Sequence, residues 1–393
     1  MTSLETQPIP ATVGAGPNWR GVLQRLGPLV GFLFVFGLFA VLRPHKFLNV
    51  GNLQLMLEET AVVGTAALGM TLIIISGGID LTPGSNIALC TVVVALLLNS
   101  GWSPPAAAVG GILIATLVGL CIAAMVIGHL GAVAAGVAGL CAYLLLHTGL
   151  EYSSALSIAV GIIVALIFGA LAWRYLPRVL LSPFIVTLGL WGSLRGVAQQ
   201  VAITGTALPG QPGTTTVSPP ETWLNGLLNT LGQGHSWMIL PLGVWATIIL
   251  AVVIALVLRY TKFGRHIYAI GSNEQTARLC GINVGRTKLL IYTLAGVLVG
   301  IAGLLQFSYL TMGDSTTANG LELNIIAAVV IGGASLNGGE GGILGSMIGA
   351  LMMTAVSNGC AKMDWSNSVE LMVTGGIIII AVWLDGLRHL RTD

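Results

Sequence analysis

The chain has 393 residues, of which 55% are hydrophobic and only 8% charged, with a formal net charge of +2. Soluble domains carry about 25% charged residues, and a soluble fold this apolar has too little polar surface to meet water. That excludes a soluble enzyme, and the long unbroken apolar runs exclude a β-barrel, whose strands alternate and span about 9–11 residues. The remaining class is all-α, a polytopic transmembrane helical bundle. The basic residues form no patch with interleaved aromatics, so nucleic acid is not indicated as a partner.

The first eighteen residues are polar, with Pro and Gly but neither a basic start nor a cleavage site. They read as a disordered cytoplasmic tail, residues 1–25 up to the first span, which itself serves as the membrane signal. The transmembrane domain is 26–393. A span needs about 20 apolar residues. With charges, Pro and Gly clusters as breaks, the expected spans are 26–42, 58–76, 84–99, 104–127, 130–148, 153–173, 184–202, 238–258, 288–308, 321–336, 342–358 and 369–385. Segments 84–99, 321–336 and 342–358 are short or Gly-interrupted, and each reads as a half-helix or a re-entrant piece.

Lys and Arg set the orientation. With an even count and the N-terminus inside, twelve of the sixteen basic residues fall on the inner side; the other four are Arg43, Lys46, Arg195 and Lys362. The Thr-, Gly- and Pro-rich loop 203–237 contains no Lys or Arg and is expected outside. Within it, "TWLNGLLNTL" reads as a short amphipathic piece anchored by Trp223. Cys90, Cys121, Cys141, Cys280 and Cys360 include no C-x-x-C pair and read as small buried apolar side chains.

The loop 259–288 is basic and expected in the cytoplasm. Ser272 with Gln275 fits a capping box, Glu274 suits the first turn, and Gly281 fits the position that ends a helix. A helix over 273–280 is predicted, too short to be stable alone. Ala277, Leu279, Cys280 and Ile282 make it half apolar. Such a helix either plugs into a partner subunit or lies on the bilayer with Arg265 and Arg278 at lipid phosphates.

"FGRHIYAIGSNEQTARLCGINVGRTK" resembles the cytoplasmic coupling loop of the membrane subunit of bacterial ATP-binding cassette sugar importers, the ribose/xylose-type permeases. Other blocks agree in order: "GTAALGMTLIIISGGIDLTPGS", "SPFIVTLGLWGSLRG", "ANGLELNIIAAVVIGGASLNGGEGGILGSMIGAL" and "IIIIAVWLD". The resemblance covers most of 45–100 and 153–385. Residues near 101–150 lack a counterpart, which suggests an insertion of two spans. "GALAWRYLPR" replaces the family's Asn-Gly, and Thr82 and Pro83 depart from its serine-containing pattern. The expected fold is a type II importer-like permease of about 10–12 spans with broken or re-entrant helices.

The resemblance implies a bacterial inner-membrane subunit that pairs with a second copy of itself. A binding protein delivers sugar outside, and ATPase subunits dock on Asn273, Glu274, Ala277, Arg278, Leu279, Gly281 and Ile282. ATP and magnesium belong to that partner, since this chain has no G-x-x-x-x-G-K-[ST] loop; no cofactor is expected in it. "NGCAKMD" and "AVWLD" lean toward xylose-type permeases. A stand-alone secondary carrier, an intramembrane enzyme and a branched-chain amino-acid permease are the competing readings.

Ionisable groups in spans are costly and therefore functional candidates; here these are Asp80, Arg195, Glu322, Glu340, Glu370 and Asp385. Glu370 and Asp385 read as interfacial, and Arg195 as snorkelling or paired with an acid. A sugar path needs amides and hydroxyls rather than clustered charge. Asn86, Thr187, Gln199, Gln200, Asn324, Ser335, Asn337 and Asn358 are candidates, with helix–helix hydrogen bonding as the alternative for each. The six histidines show no metal-ligand spacing, so no metal is expected. Gly77, Gly78, Asp80, Pro83 and Gly84 form an expected helix break, with Asp80 as a structural lock or, alternatively, a sugar contact. "IIISGGIDL" (73–81) echoes "VVIGGASL" (329–336). The span count gives both one orientation, so the echo is chance or one short segment is re-entrant.

Overall fold

A computed structural model describes residues 19–128, 154–175, 181–207, 211–228 and 240–389, with positions 131, 139, 142 and 146 in addition. Residues 1–18, the core of the expected span 130–148 and the end of the amphipathic piece lie outside the described residues. The described residues form fourteen α-helices. In chain order they are α1 (Trp19–Leu42), α2 (Pro44–Phe47), α3 (Val50–Ile75), α4 (Pro83–Asn99), α5 (Pro104–Val126), α6 (Ser154–Tyr175) and α7 (Pro183–Thr206). There follow α8 (Leu242–Tyr260), α9 (Lys262–Ser272), α10 (Glu274–Leu279), α11 (Val284–Leu310), α12 (Leu321–Ile331), α13 (Ile343–Lys362) and α14 (Asn367–His389). One two-residue pairing joins β1 (Thr216–Val217) to β2 (Gly313–Asp314), antiparallel, which ties the expected outer loop back to the end of α11.

Five helices, α3, α5, α8, α11 and α13, are long and apolar enough to cross a membrane. Shorter apolar stretches lie in α1, α4, α6, α12 and α14. Capping residues move the boundaries outward from the apolar runs. Asn49 accepts the Gly51 N–H at 2.9 Å and starts α3 eight residues before the expected span; Asn283 accepts the Arg286 N–H at 3.0 Å and starts α11 early. As a result Glu58 and Glu59 lie inside a helix. The expected short segment 342–358 is instead α13, a full 20 residues.

α3 is the central helix, with 89% of its apolar window buried, against 28% for α8, which presents its aliphatic face outward. α3 runs antiparallel to α13. The pairs Asn52–Asn358, Thr60–Thr354 and Thr71–Ser346 are hydrogen-bonded in register along both helices. α12 is also antiparallel to α13, since Gly332 abuts Gly345 and Ala328 abuts Gly349. α3 and α12 therefore run the same way. α5 packs one face along α11, where a Cβ on Gly119 would lie 3.0 Å from the Gly296 Cα.

The two echoed segments close in the same turn. After α3, Gly77 takes φ +80° and the Gly78 N–H reaches the Ile73 carbonyl at 3.0 Å. After α12, Gly333 takes φ +92° and the Ala334 N–H reaches the Val329 carbonyl at 3.1 Å. Both are helix stops that need a left-handed residue, which glycine supplies without a Cβ penalty. The side chain that follows then closes a second turn in each copy. Asp80 accepts the Thr82 N–H at 2.8 Å, and Ser335 accepts the Asn337 N–H at 3.2 Å.

Candidate functional site: a docking end, a helix-break junction and a polar cavity

The basic end of the bundle carries α9 and α10. The capping residue of α10 is Asn273, not Ser272: its backbone is extended and its side chain accepts the Thr276 N–H at 2.9 Å. Ser272 instead completes α9, which the sequence did not announce as a helix. Gly281, at φ +82°, ends α10 as predicted, with the Ile282 N–H on the Ala277 carbonyl at 3.0 Å. Glu274 fixes α10 to the bundle. It accepts from Lys288 at 2.7 Å and from Arg278 at 2.6 Å. Partial burial raises its pKa, but these two cations outweigh that and hold the carboxyl below the ordinary carboxylate range.

The apolar residues of this element divide between two directions. Ala277 is buried with Ile270 and Val284, and Ile282 packs against them. Leu279 points the other way and is 88% exposed. Cys280 is exposed as well, and so is Cys121, whereas Cys90 and Cys360 are buried. The expectation of buried thiols therefore fails for Cys121, on an outward face of α5, and for Cys280, in the turn after α10; Cys141 lies outside the described residues.

The helix-break junction is the second element. The chain leaves α3 at Ser76 and crosses 76–82 without helix. It begins α4 at Pro83, a position where the missing N–H costs nothing. Asp80 is buried at 5% exposure, and one carboxylate oxygen takes both the N–H and the hydroxyl of Thr82, each at 2.8 Å. Gly78 faces Tyr292: a Cβ there would lie 2.6 Å from its hydroxyl. Gly84 packs against the Glu322 carboxylate and the Ala318 carbonyl, with no room for a side chain. The starts of α4 and α12 thus meet end to end. Glu322, on the first turn of α12, places a carboxylate where both helix dipoles are positive.

Trp191 and Arg195 on α7 hold this junction. The Trp191 indole N–H donates to Glu322 at 2.9 Å. Arg195 forms no ion pair among the described residues. Its guanidinium donates to the carbonyls of Ser315 (3.0 Å) and Thr317 (2.5 Å), bracing the non-helical segment that leads into α12. Glu340 is exposed in the 332–342 loop, and Glu370 accepts from Ser357. Asp385 lies on α14.

All but one of the expected polar residues fall into three groups. Asn86, Thr187 and Asn358 are buried and bonded within the bundle. Asn86 donates to the Ala115 carbonyl at 3.2 Å, Thr187 to the Pro183 carbonyl at 3.0 Å, and Asn358 exchanges amide bonds with Asn52 at 2.8 and 3.1 Å. Ser335 belongs to the turn after α12, next to exposed Asn337. Gln199 is half-buried on α7, and exposed Gln200 bonds Thr204 at 3.2 Å.

Asn324 is different, because it lines a cavity of about 150 Å³ between α3, α11, α12 and α13. Glu59, Gln306, Tyr309, Thr354 and Ser357 share that cavity. The Tyr309 hydroxyl donates to Glu59 at 3.2 Å. The expected span 58–76 puts Glu59 at the edge of an apolar run. The available signal was the acidic pair in "LEETAVVG", two carboxylates entering a span.

The family described as "Branched-chain amino acid transport system / permease component" matches residues 123–382. The ribose import permease protein RbsC of Escherichia coli K12 is 32% identical over 361 residues, covering 92% of this chain and 93% of that protein. The Bacillus subtilis ribose import permease is 31% identical, covering 94% of both chains. The xylose transport system permease protein XylH of Haemophilus influenzae is 32% identical, covering 91% of this chain and 94% of that protein. No solved structure matches. The chain belongs to this family of ATP-binding cassette transporter permeases, of the ribose/xylose type.

Proposed function

We propose that this chain is the membrane-spanning subunit of an ATP-driven importer that carries a monosaccharide, a pentose such as ribose or xylose, across the bacterial inner membrane. The observation that supports it most is α10. A six-residue helix, clamped to the bundle by Glu274, offers one large apolar side chain, Leu279, to the solvent at the basic end. An exposed leucine on a rigid, charged surface suits a groove on a partner protein. The basic end then faces the cytoplasm, with both termini on that side.

In this reading a cytoplasmic ATPase subunit binds ATP and magnesium and receives α10. A second copy of the chain completes the path, and an extracytoplasmic binding protein delivers the sugar. The chain itself performs no bond chemistry. Force applied to α10 reaches the bundle core through α9, whose Gly271 abuts the last carbonyl turn of α3 at Ile75. The loop after α12 is tied to the same carbonyl, since the Gly339 N–H donates to Ile75 O at 2.8 Å. Movement of α9 therefore bears on both helix breaks together.

The test is reconstitution of this chain with an ATPase and a ribose- or xylose-binding protein in liposomes. ATP-dependent uptake of radiolabelled ribose or xylose is expected. Uptake by the chain alone along an ion gradient, with no ATPase co-purifying, would overturn the proposal.

A further inference from the structure

Glu59 and Tyr309 stand on facing helices, α3 and α11, at a place where the bundle is not closed. α12 begins half-way through the bundle. Its Leu321 and Asn324 line the same cavity as Val62 on α3. Val62 is about 18 Å from the start of a helix about 39 Å long, at 1.5 Å per residue. The non-helical segment 311–320 descends from the end of α11 to this level. Gln306, which donates to Thr317 at 2.8 Å, fixes it there. Interrupted helices that start at mid-depth beside a polar cavity are the arrangement in which transporters hold their solute.

We propose that this cavity is a contact site for a neutral polyhydroxylated solute on its way through the membrane. The proposal rests on the reading of the chain as a sugar permease. The chemistry of the lining supports it. One carboxylate (Glu59) accepts from hydroxyls. Two amides (Gln306, Asn324) donate and accept, and Tyr309 and Ser357 supply hydroxyls that do both. Val62, Val63, Leu321 and Met353 provide apolar surface for the carbon-bound hydrogens of a sugar ring. Among the described residues no Lys or Arg lines the cavity, which disfavours an anion. These polar side chains are half-buried rather than sealed, so a passing solute has access to them.

The site is distinct from the helix-break junction, where Asp80 and Glu322 are fully enclosed by protein. It is also distinct from the buried amides of Asn52 and Asn358, which satisfy each other. Asn324 is the one expected path residue that enters it.

The test uses the reconstituted importer and two probes, radiolabelled D-ribose and D-xylose. Glu59→Gln, Asn324→Ala and Tyr309→Phe each remove or alter a hydrogen-bonding group, and Leu323→Ala, on the exposed face of the same helix α12, is the control. Co-purification with the ATPase, judged by size-exclusion profile, selects the variants that fold. For those, uptake of the transported pentose falls about tenfold, the worth of roughly one lost hydrogen bond to a charged group. The ratio of ribose to xylose uptake also shifts, a change that a merely structural role would not produce. Equal uptake and an equal ratio in folded variants would overturn the site while leaving the permease reading intact. Absence of any pentose uptake by the wild-type importer would overturn the permease reading itself, and the site with it.

Discussion

The helix-break junction and the solvent-facing helix α10 solve opposite problems. At the junction, charged and polar groups lie inside a membrane protein and draw on internal partners: Asp80 on Thr82, Glu322 on Trp191, Arg195 on two backbone carbonyls. At α10, an apolar group lies outside, and Leu279 has no internal partner to bury it. The difference teaches where each region gets its stability. Polar groups in a low-dielectric interior gain most from partners within the chain, although Glu322 Oε2 and Arg195 Nη2 find no hydrogen-bond partner among the described residues. An exposed leucine gains nothing from its own fold and much from a second protein.

The largest effect expected from breaking this contrast is at the junction. Gly84→Val drives a branched side chain into the Glu322 carboxylate and the Ala318 carbonyl. Overpacking of a filled core costs about 1–3 kcal/mol. Thermal unfolding in detergent should show a clear loss of stability, and an unchanged melting temperature would mean that the starts of α4 and α12 do not meet.

Next comes α10. Leu279→Glu should leave the melting temperature of the isolated chain unchanged, because that side chain touches little of it. Assembly with the ATPase should weaken about tenfold or more, the worth of one buried leucine. Ala277→Arg is a blunter probe, since Ala277 packs against Ile270 and Val284 and its replacement also disturbs the fold. A titrated pull-down of the two variants separates these effects.

A smaller, pH-dependent effect follows from Glu274. Its folded-state value is depressed, so its contribution is complete above the unfolded carboxylate value of about 4.3 and is lost as pH falls through the lower folded value. Stability and ATPase affinity should be flat from neutral pH to the top of that range and decline below it. Glu274→Gln should remove the decline. The same profile in both proteins would show that the clamp on Lys288 and Arg278 does not hold α10.

The smallest effect is at the opposite end, where the largely exposed Lys46 and Asp364 pair at 3.0 Å. Such exposed pairs contribute little. Asp364→Asn should leave thermal unfolding indistinguishable from wild type, whereas a measurable loss would show that this end is packed against something else.

The class of the protein was legible in its residues because composition alone forbids a soluble fold. The apolar runs also gave the approximate place of most helices. The break at Gly77–Pro83 was legible for a similar reason: two glycines followed within five residues by aspartate, threonine and proline disfavour a continuous helix. Gly281 likewise marked the end of α10. The start of that helix was less legible. Ser272 and Asn273 are both good capping residues, and in the structure Ser272 ends α9 while Asn273 caps α10.

Sequence by itself therefore determined what is local: which segments are apolar, where backbone conformation is forced, and which family pattern they follow. The tertiary structure alone decided what those segments do to each other. Nothing in the order of residues states that α4 and α12 meet end to end, or that Arg195 braces a backbone rather than an acid. Nor does it say that Glu59 faces Tyr309 across a distance of 250 positions in the chain. The physical reason is that an apolar helix looks alike on every side in sequence, so hydropathy cannot choose its neighbours. That choice is made by close approach at small residues and by the pairing of buried polar groups, both of which exist only once the bundle is packed.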